Sequence, residues 1–214
     1  MSCQRVFLKR VIGWVVAAGL LICLAASAMM AQNSGGDYLF LIASGFLCDS
    51  GDSSACPAVV RSADYATYEL TGAGTFNPQS KAVTATGTFN RKSPDGTSLE
   101  TGIWIAKDLV SFNSYGAAPD ARMREARVFG AARFDPRGTS MLSGPMPTGG
   151  LAVFRVRLLP MSAPARTAVL EMNCALGKAP VERQTEGVRL TFEGGGAGFD
   201  QEISGHTMFL MMRP

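Results

Sequence analysis

Few side chains in this sequence could carry out acid–base chemistry. The chain contains one histidine, His206, which excludes every mechanism or metal site that requires two imidazoles. Glu202 lies four residues before it, and on a strand residues 202, 204 and 206 point the same way. Glu202 and His206 are therefore the one pair that we name as candidate catalytic residues, with the histidine as general base. The alternative is that His206 is a polar residue on the exposed face of a strand.

The segment from Cys48 to Cys56, CDSGDSSAC, combines two cysteines with acidic and hydroxyl side chains. Its serine, glycine and aspartate residues are flexible enough to bring the two ends together, so we predict a Cys48–Cys56 disulfide in an oxidising compartment. Cys174 would then be buried outside any disulfide; the alternatives are two thiols or a bond from one of them to Cys174. Asp49 and Asp52 offer oxygen ligands of the kind that calcium prefers, but two carboxylates make a weak site, and we predict no metal.

Two further segments do not form the binding motifs that their composition suggests. The glycines of residues 194–198 lack the spacing and the strand-to-helix context of a dinucleotide cradle, so we interpret them as a flexible connection and predict no cofactor. Five arginines between residues 122 and 137 could meet an acidic polymer or a lipid head group. Acidic residues interleave with them, which is typical of a solvated surface.

The first 31 residues have the composition of an export signal. Residues 1–10 are basic, residues 11–31 are uncharged, and Ala26 and Ala28 provide the small residues that a signal peptidase recognises. We predict a cleaved signal peptide helix and a secreted, periplasmic or cell-envelope location. The alternative is a membrane anchor formed by residues 11–31, which are nearly long enough to span a hydrocarbon core.

Without this leader, the chain carries no net charge. Arg5, Lys9 and Arg10 equal the whole excess of 20 basic over 17 acidic residues. A neutral domain has no broad electrostatic surface for phosphate backbones, so we predict that it does not bind nucleic acid.

Residues 32–214 have the two-residue alternation of half-buried strands. It is clearest in residues 152–159 and 188–193, and it recurs in 168–176, where it places Cys174 on the inward face. Other predicted strands are 38–47, 99–106, 109–113, 203–212 and two strands that share the tetrapeptide GTFN, at 74–77 and 87–90. Glycines 72, 74 and 87 in those two strands predict bulges or sharp curvature.

Helical patterns are scarce in this part of the chain. The one candidate is a short helix over residues 120–128, and the glycines and prolines of residues 133–150 predict a long loop. We predict a single all-β domain over residues 32–214, an antiparallel barrel or β-sandwich of about nine strands, with a barrel favoured.

These patterns leave three classes of function open. The first hypothesis is an exported, non-catalytic β domain that binds a small apolar ligand or a cell-envelope partner. The second is a barrel-interior enzyme that acts on an apolar substrate with Glu202 and His206. The third is a purely structural envelope protein, which would need no pocket.

Overall fold

The computed structural model describes residues 36–117, 145–196 and 198–212. Ten strands cover most of them: β1 (Tyr38–Ile42), β2 (Ala58–Ser62), β3 (Thr67–Phe76), β4 (Val83–Lys92), β5 (Ser98–Ala117), β6 (Met146–Pro160), β7 (Arg166–Cys174), β8 (Gly187–Phe192), β9 (Phe199–Ser204) and β10 (Thr207–Met211). The helical elements in these ranges are two short 3-10 helices, Gly45–Ser50 and Val181–Arg183. The described chain is all-β, as its two-residue periodicity predicts, with ten strands rather than about nine.

The strands pair antiparallel and close into a ring. Strands β2 to β9 each pair with the next in sequence, and β9 pairs back with β2, which makes an eight-stranded up-and-down barrel. Strands β1 and β10 pair with each other and join β3 to β6 at the end of the barrel where β3 ends and β6 begins. Closure leaves the strands of the ring without open edges, which removes sites for unwanted pairing with other chains.

The ring is filled by apolar side chains that alternate along each strand. On β6, Phe154, Val156 and Leu158 are buried, whereas Arg155 and Arg157 between them are exposed. Tyr68 of β3 and Trp104 of β5 are fully buried as well. This confirms the predicted half-buried strands and places the hydrophobic core inside the ring.

The shared GTFN segments lie side by side, because β3 and β4 pair along their whole length. The pairing has no register shift, so the prediction of bulges at glycines 72, 74 and 87 is wrong. Gly72 and Gly87 face each other instead, and a Cβ on either would collide with the indole of Trp104. These glycines leave room for a large core side chain, which sequence periodicity does not reveal.

Several predicted strands have different bounds in the structure. The strand predicted over 38–47 stops at Ile42, and a 3-10 helix follows from Gly45. The strands predicted over 99–106 and 109–113 form one strand, β5, which continues past Lys107 through register shifts in its pairing with β6.

The predicted strand 203–212 is divided in two. Ser204 ends β9 and Thr207 begins β10, and Gly205 between them has a φ of 110°, outside the extended conformation of a regular strand. Strand β6 begins at Met146, so the loop predicted over 133–150 is strand at its C-terminal end.

Several predictions concern residues outside the described ranges. These are the leader over residues 1–31, the short helix over residues 120–128 and the arginines between residues 122 and 137. Among the residues that are described, no helix is long and apolar enough to cross a membrane.

Candidate functional site

A pocket of about 600 Å³ lies at one end of the barrel. Its walls come from the β2–β3 turn, the end of β4, the start of β7 and the β8–β9 connection, represented by Asp64, Arg91, Arg166 and Gly195. These segments meet because every second connection of an up-and-down barrel lies at the same end. The pocket volume is typical of sites for small organic ligands, which span about 300–1,000 Å³.

Three aromatic rings form the base of the pocket. Tyr68 packs edge-on against Phe199 with their ring centroids 4.7 Å apart, and the Phe192 centroid lies 5.8 Å from that of Tyr68. Phe192 and Phe199 complete the cluster at 6.3 Å. Tyr68 and Phe199 are buried, whereas Phe192 is half-buried and exposes part of its ring. The buried rings of Tyr68 and Phe199 therefore support Phe192, whose partly exposed side chain is the apolar surface that a ligand can contact.

Arg166 lines the pocket and contacts Tyr68, Glu100 and Phe192. Nη2 of Arg166 donates hydrogen bonds to the Tyr68 hydroxyl, at 3.0 Å, and to a carboxylate oxygen of Glu100. Its Cζ lies 4.9 Å from the centroid of the Phe192 ring, which is a cation–π contact. Burial raises the pKa of Tyr68, an effect that the charge of Arg166 partly offsets, so the hydroxyl stays protonated in neutral solution.

Arg91 is the second basic residue of the pocket. It lies opposite Tyr68 in the β3–β4 pairing and opposite Glu100 in the β4–β5 pairing, so the three side chains share the inward face of the barrel. Its Nε is buried without a hydrogen-bond partner. Within the described part of the chain, the Arg91 side chain forms no hydrogen bond or ion pair.

The two carboxylates that line the pocket have partners of their own. Asp64 accepts a hydrogen bond from the Ser62 hydroxyl and a longer one from the Ala66 amide, and these bonds hold its pKa below the usual value, with a smaller contribution from the charge of Arg91. Glu193 accepts a hydrogen bond from Nε of Arg155, at 2.9 Å. Neither carboxylate forms an ion pair with Arg91.

Glycines 194, 195 and 196 form part of the pocket rim. Their φ angles are 88°, 91° and 143°, values that residues with a Cβ rarely adopt. The sequence predicts a connection here, and the structure adds that this connection borders the pocket.

Glu202 and His206, the candidate catalytic pair, have different partners. Glu202 lies with Oε1 3.2 Å from Nε of Arg189, and burial raises its pKa while Arg189 and then Arg183 lower it. Since the chain turns at Gly205, the two residues do not share a strand as the prediction assumed. Neither residue lines the pocket.

His206 instead contacts the loop between the two cysteines. Its Nε2 lies 3.6 Å from Oδ2 of Asp52, whose other oxygen accepts hydrogen bonds from the amide and hydroxyl of Ser54. The His206 amide donates to the Ala55 carbonyl at 2.9 Å, which fixes the loop to the β9–β10 connection.

The structure joins Cys48 and Cys56 in a disulfide, which is the predicted pairing. Cys174 is buried and belongs to no disulfide; its Sγ lies 4.0 Å from a carboxylate oxygen of Glu186. Asp49 is exposed. The described ranges contain no group of three or more His, Cys, Asp or Glu side chains that could hold a metal ion.

Sequence reasoning missed the pocket arginines, although β4 carries a signal for one of them. Phe89 is buried, so alternation places Arg91 on the same inward face, where a charge is unexpected. A charged residue in phase with core residues at a strand end indicates a polar site at the mouth of a barrel. Arg166 gives no comparable signal, because it begins its strand.

Comparison with protein-family models, curated proteins and solved structures finds no match to this chain. Its function must therefore be argued from the geometry of the pocket.

Proposed function

We propose that this chain is an exported, non-catalytic domain that binds a small ligand with an apolar body in the pocket at the end of the barrel. The observation that carries the proposal is the aromatic base of the pocket, formed by Tyr68, Phe192 and Phe199. Burying one aromatic or aliphatic group against such a surface contributes about 1.5–3 kcal/mol, which is enough for micromolar affinity when several groups are buried.

The rigidity of the base supports binding. Tyr68 is held by Arg166 as well as by its ring neighbours, and its strand pairs on both sides with β2 and β4. A ligand therefore meets a preformed surface and loses little affinity to rearrangement of the protein. The rim over glycines 194–196 lacks side chains that would block entry.

Export is part of the same proposal. The basic and then uncharged leader has the pattern of a signal peptide, and the Cys48–Cys56 disulfide fits an oxidising compartment.

A fluorescence titration tests the binding proposal. N-phenyl-1-naphthylamine, an uncharged dye that brightens in apolar surroundings, is added to the purified exported protein. We expect saturable binding at one site and a matching rise in melting temperature. Absence of saturable binding would contradict the proposal and favour the purely structural role.

A pair of variants locates the dye. Ala165 is exposed and lines the pocket, so Ala165→Trp should fill it and weaken binding by about tenfold or more, since losing one buried ring contact removes at least 1.4 kcal/mol. Ala82→Trp is the matched control, because Ala82 is exposed in the turn between β3 and β4, at the opposite end of the barrel. Equal binding by both variants would place the dye elsewhere and remove the pocket from the proposal.

A further inference from the structure

We infer that the ligand of the end pocket carries a singly charged anionic group, and that Arg91 binds this group. This inference rests on the proposed function and specifies the ligand class: an amphipathic organic anion, such as a carboxylate or sulfonate on an aromatic or aliphatic body. Its basis is that, among the described residues, Arg91 is the one charged side chain lining the pocket that forms neither a hydrogen bond nor an ion pair.

Arg91 lies on the inward face of the barrel wall. Tyr68, Arg91 and Glu100 lie opposite one another on three neighbouring strands and face the inside of the barrel. Nε of Arg91 is buried without a hydrogen-bond partner, and a buried donor costs stability unless another group satisfies it.

The acidic side chains near Arg91 form their hydrogen bonds with other residues. Glu100 accepts from Arg166, Asp64 accepts from Ser62, and Glu193 accepts from Arg155. The Arg91 side chain forms no hydrogen bond or ion pair with any described residue, although it lines the pocket.

The guanidinium of Arg91 suits an anionic ligand with oxygen acceptors. A guanidinium binds carboxylate-like oxygens through charge-assisted and often paired hydrogen bonds. The Tyr68 hydroxyl is buried and accepts from Arg166, so Arg91 is the donor that we expect the anion to meet. Asp64 and Glu193 line the pocket too, and their negative charges disfavour a doubly charged group such as a phosphate monoester.

Arg91 and the aromatic base belong to one pocket. Arg91 and Phe192 both line the same pocket, so an anion at Arg91 places the attached apolar body over the aromatic base. Neither half alone selects the ligand: the rings recognise its body, and the arginine recognises its charge.

Two dyes with a common skeleton test the inference. 8-Anilinonaphthalene-1-sulfonate differs from N-phenyl-1-naphthylamine only by its sulfonate. We expect the unmodified protein to bind the sulfonate dye about tenfold more tightly or better, as a hydrogen bond to a charged group provides. Equal affinities, or tighter binding of the uncharged dye, would overturn the inference without any variant.

Arg91→Gln removes the charge and keeps a polar side chain. We expect it to weaken binding of the sulfonate dye by about tenfold and to change binding of the uncharged dye by less than about twofold. Lys178→Gln is the charge-matched control, because Lys178 is exposed near Tyr115 at the opposite end of the barrel, and it should change neither affinity. If Arg91→Gln fails to fold, Arg91→Lys retains the charge, and it should bind the sulfonate dye more tightly than the uncharged dye.

The outcomes distinguish this inference from the proposed function. Unchanged sulfonate binding in Arg91→Gln, with pocket binding of the uncharged dye intact, would overturn the role of Arg91 and leave the apolar site standing. Binding of both dyes that Ala165→Trp does not weaken would overturn the pocket itself.

Discussion

Nε2 of His206 lies 3.6 Å from Oδ2 of Asp52, so the one histidine of the chain rests against the disulfide loop. The two side chains are 43% and 46% exposed, and a contact this exposed contributes little to stability. The Asp52 carboxylate is held chiefly by Ser54, whose hydroxyl donates to Oδ1 at 2.7 Å. The loop is therefore ordered by hydrogen bonds more than by charge.

Replacement of Ser54 with Ala should raise the pKa of Asp52. The hydroxyl and amide of Ser54 are the two largest influences that hold this pKa below its usual value, with a smaller contribution from His206. In the wild type, the stabilisation from these bonds is present above the ordinary carboxyl pKa and is lost as pH falls through the lowered pKa. NMR titration of the Asp52 carboxyl measures the change.

Ser53→Ala is the matched control, since Ser53 is an exposed neighbour in the same loop. The prediction fails if both variants shift the pKa of Asp52 equally, because the hydroxyl of Ser54 would then have no special role.

Removal of the disulfide should destabilise the domain. Replacing Cys48 and Cys56 with Ser opens a loop with a sequence separation of 8, and the loss of this restraint costs about 2–3 kcal/mol of unfolding free energy. The amides of Gly205 and His206 donate to carbonyls of this loop, so the β9–β10 connection should exchange its amide hydrogens faster.

Chemical denaturation measures the stability, and hydrogen exchange locates the effect. Cys174→Ser serves as a comparison, because it changes a buried thiol without opening a loop. Unaltered exchange at Gly205 and His206 in the double variant would show that the loop is held in place without its disulfide.

Glu202→Gln should change how stability depends on pH. Burial raises the pKa of Glu202, so the ionised carboxylate is less favourable in the folded chain than in the unfolded one, and Arg189 compensates only in part. Wild-type stability should fall relative to the variant as pH rises from below the ordinary glutamate pKa to above the raised one, and the difference should then stay constant.

Denaturation curves at a series of pH values test this dependence. Glu182→Gln is the control, because Glu182 is exposed and its replacement removes the same charge as Glu202→Gln. A wild-type profile that rises relative to Glu202→Gln over the same range would mean that ion pairing with Arg189 outweighs burial.

The fold was largely predictable because alternation is a local property. Phe154 and Arg155 show the pattern in adjacent positions, and the structure buries the first and exposes the second. The break at Gly205 was not predictable, since it depends on a distant strand: a Cβ at this position would collide with Ala58 of β2. Boundaries set by contacts between remote segments leave little trace in a local pattern.

The candidate site was less predictable than the fold. His206 drew attention as the one histidine of the chain, with Glu202 at close spacing, but their partners, Asp52 and Arg189, come from other strands and loops. The pocket is assembled from four chain segments, so no short motif contains it. The disulfide was the exception, because its two cysteines are close in sequence and their spacing limits the pairings available.

Gly72→Ala should destabilise the barrel without changing its exposed surface. A Cβ here would collide with the indole of Trp104 and lie 2.9 Å from the Thr86 carbonyl oxygen. Trp104 is fully buried and donates from Nε1 to the Thr71 carbonyl at 2.9 Å, so it cannot move aside without losing that bond. We expect a loss of about 1–3 kcal/mol of unfolding free energy by chemical denaturation, as overpacking of a core causes. Gly198→Ala, where an added Cβ would meet no atom within 4 Å, should cost far less; equal losses in the two variants would indicate a general intolerance of alanine rather than a lack of space beside the indole.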